Sequence, residues 1–529
     1  MLFTSYAFIG FLAVALIAYY AVPKKLQWIT LLATSYVFYA FAGLDCLVFI
    51  LFTTVSSYVI SRLMAKNKTA EDAYIEENRE TLSKDEKKKY RASEKKKRLG
   101  ILVLGLLLNF GILAVLKYTA FALTNVNSVL GLFGADGFEI PDLLLPMGIS
   151  FYTFQTMGYL IDVYRGRASA EKNIAKLALF VSFFPQLVQG PISRFSDLAH
   201  QLTSPHVFSG KTVSLGLQRV LWGYAKKLIV ADRLLVAVKA LATSPDTYDG
   251  AYVLLLILLY SVQIYADFTG GIDITIGIAE AMGIKLAENF DRPFSSKSTK
   301  EYWRRWHITM GSWFRDYIFL PLSVCSPMLR LNKKLGEKLS RRTAGKIVAY
   351  AASAVTWFAT GVWHGAAWNF IVWGMLNFLV ISVSESLEPL YEKFHAKFPR
   401  LTASAGYGAF MSVRTFLLMG VIRSLDCYRN VGVTFAAWGS MLTMRGVGDI
   451  FSGGIAQLGL GTADIVIIVI GIMCMFAVSK LGEKGSLRER LYERPALCSV
   501  VFGALFVCVM LFGAYGVGYD ASQFIYDQF

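Results

Sequence analysis

The chain has 529 residues, of which 55% are hydrophobic and only 17% are charged. The apolar residues come in long uncharged runs, which excludes a single soluble domain and predicts an all-α polytopic membrane protein. The net charge of +16 does not indicate a nucleic-acid partner, because membrane proteins collect Lys and Arg in cytoplasmic loops and no nucleic-acid-binding motif accompanies the charge. Six cysteines without a CxxC pair and five dispersed histidines predict neither a disulfide framework nor a metal site.

The first apolar run, at about residues 2–21, lacks a positive n-region, so we interpret it as a retained span rather than a signal peptide. Ten further stretches are predicted spans or tilted helices, at about residues 26–41, 46–63, 100–123, 143–164, 174–188, 215–241, 251–266, 409–422, 465–478 and 497–516. With the central stretch described below, we expect eleven or twelve transmembrane helices. Residues 267–330 are predicted to hold re-entrant or interfacial helices.

One segment, residues 65–99, looks soluble because it is dense in Lys, Arg and Glu. Ser83 and Glu86 have the spacing of a capping box, which favours a charged helix. The simpler interpretation is a solvated loop without a function of its own, and we favour it. The basic excess places the segment in the cytoplasm and therefore predicts an extracytoplasmic N-terminus.

The most apolar part of the chain, residues 347–383, contains no Asp, Glu, Lys or Arg. It is too long for one span and long enough for two, so the GVWHG sequence in its middle is either a turn or a broken helix. His364 is therefore a titratable group in apolar surroundings, flanked by Trp363, Trp368 and Asn369. Such a residue is a functional hypothesis by default. The alternative is a neutral histidine hydrogen-bonded to a carbonyl of a neighbouring helix.

Aromatic residues recur at helical spacing in residues 301–317, EYWRRWHITMGSWFRDY. Trp303 and Trp306 begin the stripe, His307 lies near its edge, and Arg304, Arg305 and Arg315 project from other faces. The plain interpretation is an interfacial amphipathic helix with snorkelling arginines. In the functional interpretation, Arg304 and Arg305 bind the phosphates of a cytoplasmic donor.

Polar residues are also predicted at membrane depth in two other places. Asp267 ends an apolar run, where a carboxylate costs about 2.5–3.5 kcal/mol unless it is paired. We favour a structural salt bridge with a nearby Arg over catalysis. Tyr152 and Gln155 are candidates to line a substrate tunnel, although small and polar residues in a span also suit plain helix packing.

Four blocks in order resemble the membrane-bound O-acyltransferases, nearest to the bacterial alginate O-acetyltransferase membrane-subunit type. They are LPMGISFYTFQTMGYLIDVYRG, FFPQLVQGPISRF, ADFTGGIDITIGIAEAMGIKLAENFDRPFSSKSTKEYWRRWHITMGSWFRDYIFLPL and GVWHGAAWNFIVWG. Together they cover about residues 145–374, and the opening MLFTSYAFIGF and the ending FIYDQF also resemble that branch. The D-alanyl transferases of teichoic acid and the membrane subunits of peptidoglycan O-acetyltransferases are relatives.

The resemblance implies one domain in which a ring of helices surrounds a thinned centre with a funnel on each side. Its parts would be residues 1–64, the charged segment 65–99, a catalytic core at 100–380 and C-terminal spans at 381–529. The family's WHG histidine falls on His364, where the funnels meet, and its second position falls on His307. The family's D-x-S-G segment falls on the Asp267 block, where Thr269 replaces Ser and keeps the hydroxyl.

The resemblance further implies acetyl transfer from cytoplasmic acetyl-CoA, with no bound cofactor or metal, in a bacterial inner membrane. His364 would act as a general base, and His307, Asn369 or a Trp indole N–H would stabilise the oxyanion. The acceptor would be a Ser on a separate extracytoplasmic SGNH-type protein, or a polysaccharide directly. Three alternatives stay open: D-alanyl transfer from a carrier protein, a transporter, and a scaffold without chemistry. The lack of visible internal repeats argues against a transporter.

Overall fold

The computed structural model describes residues 3–515. Its N-terminal helices are α1 (Tyr6–Ala21), α2 (Gln27–Ala40), α3 (Cys46–Glu77), α4 (Lys84–Leu132), α5 (Ile149–Tyr164), α6 (Ile174–Ser182), α7 (Phe184–Leu187) and α8 (Phe195–Thr203). The middle helices are α9 (Gly210–Tyr224), α10 (Asp232–Thr243), α11 (Ala251–Ala281), α12 (Thr299–Arg305), α13 (Ile308–Phe314), α14 (Leu320–Ser323), α15 (Ser326–Gly336), α16 (Arg341–His364) and α17 (Trp368–Ser386). The C-terminal helices are α18 (Glu388–Lys397), α19 (Pro399–Thr402), α20 (Ala405–Tyr428), α21 (Val431–Met441), α22 (Val447–Asp449), α23 (Ile455–Gln457), α24 (Thr462–Leu481), α25 (Leu487–Tyr492) and α26 (Pro495–Phe512).

Seven of the described helices are long and apolar enough to cross a membrane, namely α3, α4, α11, α17, α20, α24 and α26. Two shorter apolar helices are α1 and α21. The predicted all-α polytopic class is confirmed, whereas the count of eleven or twelve spans and the central funnel stay predictions. The last predicted span extends to residue 516, and the FIYDQF ending lies entirely outside the described residues.

Contacts divide the chain into two compact units. The first is Met1–Ser214 with Ile278–Leu286, and the second is Leu215–Gly277 with Ala287–Phe529. Helix α11 contributes residues to both units. The boundaries predicted within a single domain stay predictions.

In the first unit, α3 and α4 continue past their apolar stretches and form an antiparallel charged arm from residues 65–98. Ser83 caps α4 by accepting a hydrogen bond from Glu86 N (3.3 Å), and the Glu86 carboxylate accepts one from Ser83 N (2.9 Å). The buried Arg98 guanidinium lies 2.5 Å from the Glu71 carboxylate. The rings of Tyr74 and Tyr90 pack 4.4 Å apart. The predicted capping box and charged helix are confirmed, and the segment is not a loop, because paired side chains hold two helices together. That the segment has no function of its own stays a prediction.

Helix α11 passes through Asp267 without interruption and ends at residue 281. The prediction that re-entrant or interfacial helices begin at residue 267 is therefore wrong for residues 267–281. Glycines on α9 and α11 bring the two backbones together. A Cβ added to Gly270 would lie 3.0 Å from Gly223 O, and one added to Gly277 would lie 2.7 Å from Gly216 O. Small residues let two helix backbones approach closely, and the resulting van der Waals packing stabilises helix pairs in a membrane.

The predicted amphipathic helix at residues 301–317 is instead broken into α12 and α13 by Trp306 and His307. An antiparallel bridge joins Phe290 to Trp306, with Asp291 N donating to Arg305 O (2.9 Å) and Ile308 N to Asn289 O (3.0 Å). The aromatic stripe is mostly buried in protein and does not form a lipid-facing belt. Its buried members are Trp306, Met310, Trp313, Phe314 and Tyr317.

We expect Arg98→Ala to loosen the charged arm, because Arg98 joins α4 to Glu71 on α3, whereas the other partner of Glu71, Lys68 (3.0 Å), lies on α3 itself. Losing a buried hydrogen bond to a charged group costs about 1.5–3 kcal/mol. Backbone amides of residues 84–98 should then exchange with solvent more than tenfold faster, measured by hydrogen–deuterium exchange. The control is Arg79→Ala, because Arg79 and its partner Glu76 are both more than 70% exposed and such pairs contribute little. Equal exchange in the two variants would contradict the role of the buried pair.

Candidate active site

His364 is the last residue of α16, and a tight turn leads from it into α17. Gly365 follows in an extended conformation, and Gly365 N donates to Gly361 O (3.3 Å). The two helices then run antiparallel in close contact, because a Cβ on Gly361 would lie 2.5 Å from Phe370 O and one on Gly374 would lie 2.4 Å from Trp357 O. The GVWHG sequence therefore ends α16 and begins the turn at residues 365–367, and it is not a break within one helix.

Tryptophan rings surround the His364 imidazole. Trp373 lies 4.6 Å from it and Trp363 5.0 Å, measured between ring centroids. Trp303 packs on Trp373 (5.5 Å) and on Trp357 (5.0 Å), and its indole N–H donates to Asn377 Oδ1 (3.0 Å). The His364 residue as a whole is nevertheless partly exposed, although its Nε2 atom is buried. The imidazole is held in one place by the surrounding rings.

His307 lies 1% exposed between α12 and α13, with a left-handed backbone (φ 48°, ψ 52°). Few residues other than glycine adopt this conformation, and it is held here by the bridge described above. The ring of Phe268 meets the His307 ring edge-on at 4.9 Å, and Trp363 lies 6.1 Å away. Since Trp363 also contacts His364, the two predicted histidines flank the same indole.

The amide of Asn289 determines the tautomer of His307. Asn289 Oδ1 accepts hydrogen bonds from Thr309 N (3.1 Å) and Thr309 Oγ1 (3.0 Å), and the backbone N–H identifies that atom as the oxygen. His307 Nδ1 lies 3.2 Å from the same oxygen and must therefore be the protonated ring nitrogen. In the neutral ring, Nε2 then carries the lone pair and is a hydrogen-bond acceptor.

A buried cation lies close to His307. The Arg423 guanidinium packs 4.0 Å above the Trp306 ring and donates to the Tyr302 hydroxyl (3.0 Å). His307 lies outside the seven candidate spans, and burial, followed by the Arg423 charge, lowers its pKa to about 3. The His307 ring is therefore neutral at physiological pH.

Asp267 makes the salt bridge that the sequence predicts, but its partner is Lys227 rather than a nearby Arg. Lys227 Nζ lies 2.9 Å from Asp267 Oδ1 and 2.8 Å from Asp232 Oδ1. The three side chains are at most 3% exposed. One cation shared by two carboxylates ties α11 to the π-helical turn Ala225–Ala231 and to α10.

The remaining candidates are more dispersed. Arg304 and Trp368 are exposed, Arg305 pairs with Glu301 (2.7 Å), and Arg315, 61% exposed, pairs with Asp316 (2.8 Å). Phosphate binding by Arg304 and Arg305 stays a prediction.

Three other candidates are buried and polar. Asn369 lies in the second unit and donates to Leu425 O (3.2 Å). Tyr152 and Gln155 belong to the first unit, where Gln155 donates to Phe180 O (3.2 Å) and the Tyr152 ring lies 6.4 Å from that of Tyr39. These contacts fit the simpler interpretation of helix packing for the last two residues.

Sequence reasoning missed four residues that shape this site: Asn289, Lys227, Asp232 and Arg423. Lys227 was visible as a charge interrupting an apolar helix, and Arg423 as a charge directly after a predicted span. Charges in such positions require partners. Asp232 is only five residues from Lys227, but Asp267 is 40 residues from it and Tyr302 is 121 residues from Arg423, so the sequence indicates the need without naming these distant partners.

We expect folding stability to depend on the titration of His307. Since its pKa is about 3 in the folded chain and about 6.5 when unfolded, only the unfolded chain binds a proton as the pH falls below 6.5. The titration of His307 therefore lowers the free energy of unfolding by about 1.4 kcal/mol for each unit by which the pH falls from 6 to 4. Thermal unfolding in detergent should show a flatter pH dependence for His307→Gln. If the unfolding temperatures of the unsubstituted protein and of His307→Gln change equally with pH, the prediction that His307 is buried and neutral is contradicted.

We expect Lys227→Met to destabilise the protein more than Asp232→Asn does. The first variant leaves two buried carboxylates beside each other, whereas the second leaves one Lys–Asp pair. Removing the counter-charge of a buried ion costs about 3–5 kcal/mol. The unfolding temperature in detergent measures both effects, and a smaller drop for Lys227→Met would contradict the shared-cation arrangement.

The chain was compared with known proteins. Residues 167–425 match the family model of the membrane-bound O-acyltransferases. The chain is 33% identical to a probable alginate O-acetylase of Azotobacter vinelandii, over 73% of this chain and 69% of that protein. It is 32% identical to a probable alginate O-acetylase of Pseudomonas syringae (73% and 67%), and 29% identical to a peptidoglycan O-acetyltransferase of Helicobacter pylori (75% and 71%). The chain therefore belongs to the membrane-bound O-acyltransferase family and is an O-acyltransferase.

Proposed function

We propose that the protein moves an acetyl group from cytoplasmic acetyl-CoA to a hydroxyl of an extracytoplasmic acceptor, for O-acetylation of a cell-surface or exported polysaccharide. The names of its relatives support the acyl group and the polymer class, since they are O-acetylases of alginate and of peptidoglycan. One observation supports the site: the His364 imidazole lies at the junction of two apolar helices, held between Trp363 and Trp373, in a residue that is partly exposed although its Nε2 is buried.

In the proposed reaction, the His364 imidazole takes the proton of the acceptor hydroxyl as that oxygen attacks the thioester carbonyl carbon. The tetrahedral intermediate collapses by breaking the C–S bond. The proton passes from the imidazolium to the departing thiolate, which leaves as CoA–SH, and the acceptor carries the new ester. An activated thioester supplies the driving force, so the step consumes no ATP.

The hydrogen bonds around the two histidines suggest which groups stabilise the oxyanion. Neutral His307 has its proton on Nδ1, bound to Asn289, so its Nε2 accepts and does not donate. Trp303 already donates to Asn377. We therefore favour the indole N–H of Trp363, whose ring lies beside both histidines, or the second N–H of the Asn369 amide, whose first N–H donates to Leu425 O. We propose that His307 is a positioning residue for the Trp363 ring.

The acceptor and the membrane placement follow from the resemblance of the sequence to the alginate branch. We propose a Ser on an extracytoplasmic SGNH-type partner, or the polysaccharide directly, as the acceptor. The bacterial inner membrane would hold the protein, with its N-terminus outside and residues 65–99 in the cytoplasm, which fits the basic composition of the charged arm.

We expect His364→Ala to abolish acetyl transfer, with a fall of at least 10²-fold in kcat, because the substitution removes the proposed general base. His307→Asn should retain measurable activity. Mass spectrometry of the exported glycan from cells making each variant measures the acetyl group directly.

The matched control is His395→Gln, since His395 lies on the exposed face of α18. It should leave acetylation unchanged. Normal acetylation by a folded His364→Ala protein would rule out the proposed base. A D-alanyl mass on the product would reassign the donor to a carrier protein.

A further inference from the structure

A strongly basic segment, residues 326–346, leads into the apolar part of α16. It holds one carboxylate, Glu337, against seven cations, so its net charge is +6. The cations are Arg330, Lys333, Lys334, Lys338, Arg341, Arg342 and Lys346. All of these charged residues are exposed except Lys346, which is partly buried. Within the part of the chain that the structure describes, none of the eight side chains has an ion pair or a hydrogen bond, so the protein itself does not compensate the positive charge.

Helix α15, within this segment, is amphipathic. Its apolar face holds Met328, Leu331 and Leu335, and its opposite face holds Arg330, Lys333 and Lys334. The helix packs against α16, yet Leu329 and Leu331 stay 54% and 36% exposed. Apolar and basic side chains are therefore presented outward together, as in helices that lie in the plane of a membrane surface.

The end of α17 indicates where the membrane surface lies. This helix is one of the seven candidate spans among the described helices, and it ends at Ser386. The Ser386 hydroxyl lies 3.2 Å from the Tyr350 hydroxyl of the antiparallel α16. Lys346 precedes Tyr350 by about one helical turn and Arg342 by about two, so the basic segment lies just outside the end of the span.

An uncharged apolar surface leads from the basic segment along α16. From residue 347 to its end at His364, the helix has no Asp, Glu, Lys or Arg. Ile347, Val355 and Phe358 are 37%, 45% and 48% exposed, and their spacing of eight and three residues places them on one face. A membrane surface supplies hydrocarbon for this face and phosphate for the cations side by side, whereas a soluble polyanion would cover the cations alone.

We propose that residues 326–346 are an interfacial anchor that binds the anionic lipid surface of the membrane. The exposed lysines and arginines contact the phosphates of several lipids, and Leu329 and Leu331 enter the boundary between headgroups and acyl chains. The anchor is separate from the candidate active site, because His364 lies about 33 Å along α16 from Arg342. Lipid contact thus holds the opposite end of the helix that ends at His364.

Helix α18 is a natural control for the charge of α15. It begins at Glu388, directly after α17, so the two helices lie at the same end of the spans. It also exposes apolar side chains, namely Leu390 (58%), Tyr391 (41%) and Phe394 (38%). Its two lysines are balanced by two glutamates. The two helices therefore share exposed apolar residues and differ in net charge.

The test is hydrogen–deuterium exchange of the full chain in nanodiscs, made of phosphatidylcholine either alone or with one third phosphatidylglycerol. Backbone amides of α15 should exchange about threefold or more slowly with the anionic lipid, because several cations gain headgroup contacts. Amides of α18 should exchange equally in the two lipids. Equal exchange of α15 in both nanodiscs, or the same slowing in α18, would overturn the proposal.

A matched pair of variants tests the basic face. Lys333→Glu combined with Lys334→Glu lowers the net charge of the segment from +6 to +2 and should remove most of the slowing. Lys393→Glu combined with Lys397→Glu, on α18, should leave the slowing of α15 unchanged. All four lysines are exposed, so neither change removes a buried contact. Slowing that persists in the α15 variant would contradict the anchor.

CoA distinguishes the membrane surface from a soluble polyanion. Added in excess to the phosphatidylcholine nanodiscs, it should leave the exchange of α15 unchanged. If CoA slows the exchange as much as phosphatidylglycerol does, the segment binds the nucleotide part of an acyl donor, and the proposed lipid anchor is overturned.

Discussion

The structure depends on one constraint: a polar group placed away from water must find its partner within the protein. Lys227 shows this most clearly, since its ammonium is completely buried and lies between the carboxylates of Asp232 and Asp267. Removing these charges from water is costly, and the arrangement persists because three chain segments converge there. The same meeting of segments brings α11, and with it Phe268, against His307.

The same constraint explains the irregular backbone around His307. A left-handed residue between two short helices leaves N–H and C=O groups outside any helix, and the bridge from residues 289–291 to 305–308 pairs them. The Asn289 side chain then uses one oxygen to bind Thr309 and His307. Residues 289–291 therefore determine both the backbone pairing around His307 and the tautomer of its ring. They link the strained backbone of His307 to the chemistry of the site.

His364 is positioned differently. Close contact at Gly361 and Gly374 allows α16 and α17 to meet just before the turn, and three tryptophans fill the space beside it. Because packing already holds the His364 ring in place, the ring loses little conformational entropy when substrate binds, and this favours the reaction. The residue His364 is partly exposed, although its Nε2 is buried, whereas His307 is sealed and neutral, so the two histidines suit different roles.

The sequence by itself determined the membrane class, the capped start of α4 and the family, and it left open whether GVWHG is a turn or a broken helix. All of these rest on local patterns: apolar runs, the Ser83–Glu86 spacing and short motifs near His364. Local patterns misjudged residues 301–317, where helical spacing suggested one helix. Only the tertiary structure decided that break, the Lys227 partners and the tautomer of His307. Except for Asp232, which is five residues from Lys227, each results from contacts between residues well separated in sequence, and no spacing within a single segment encodes such contacts.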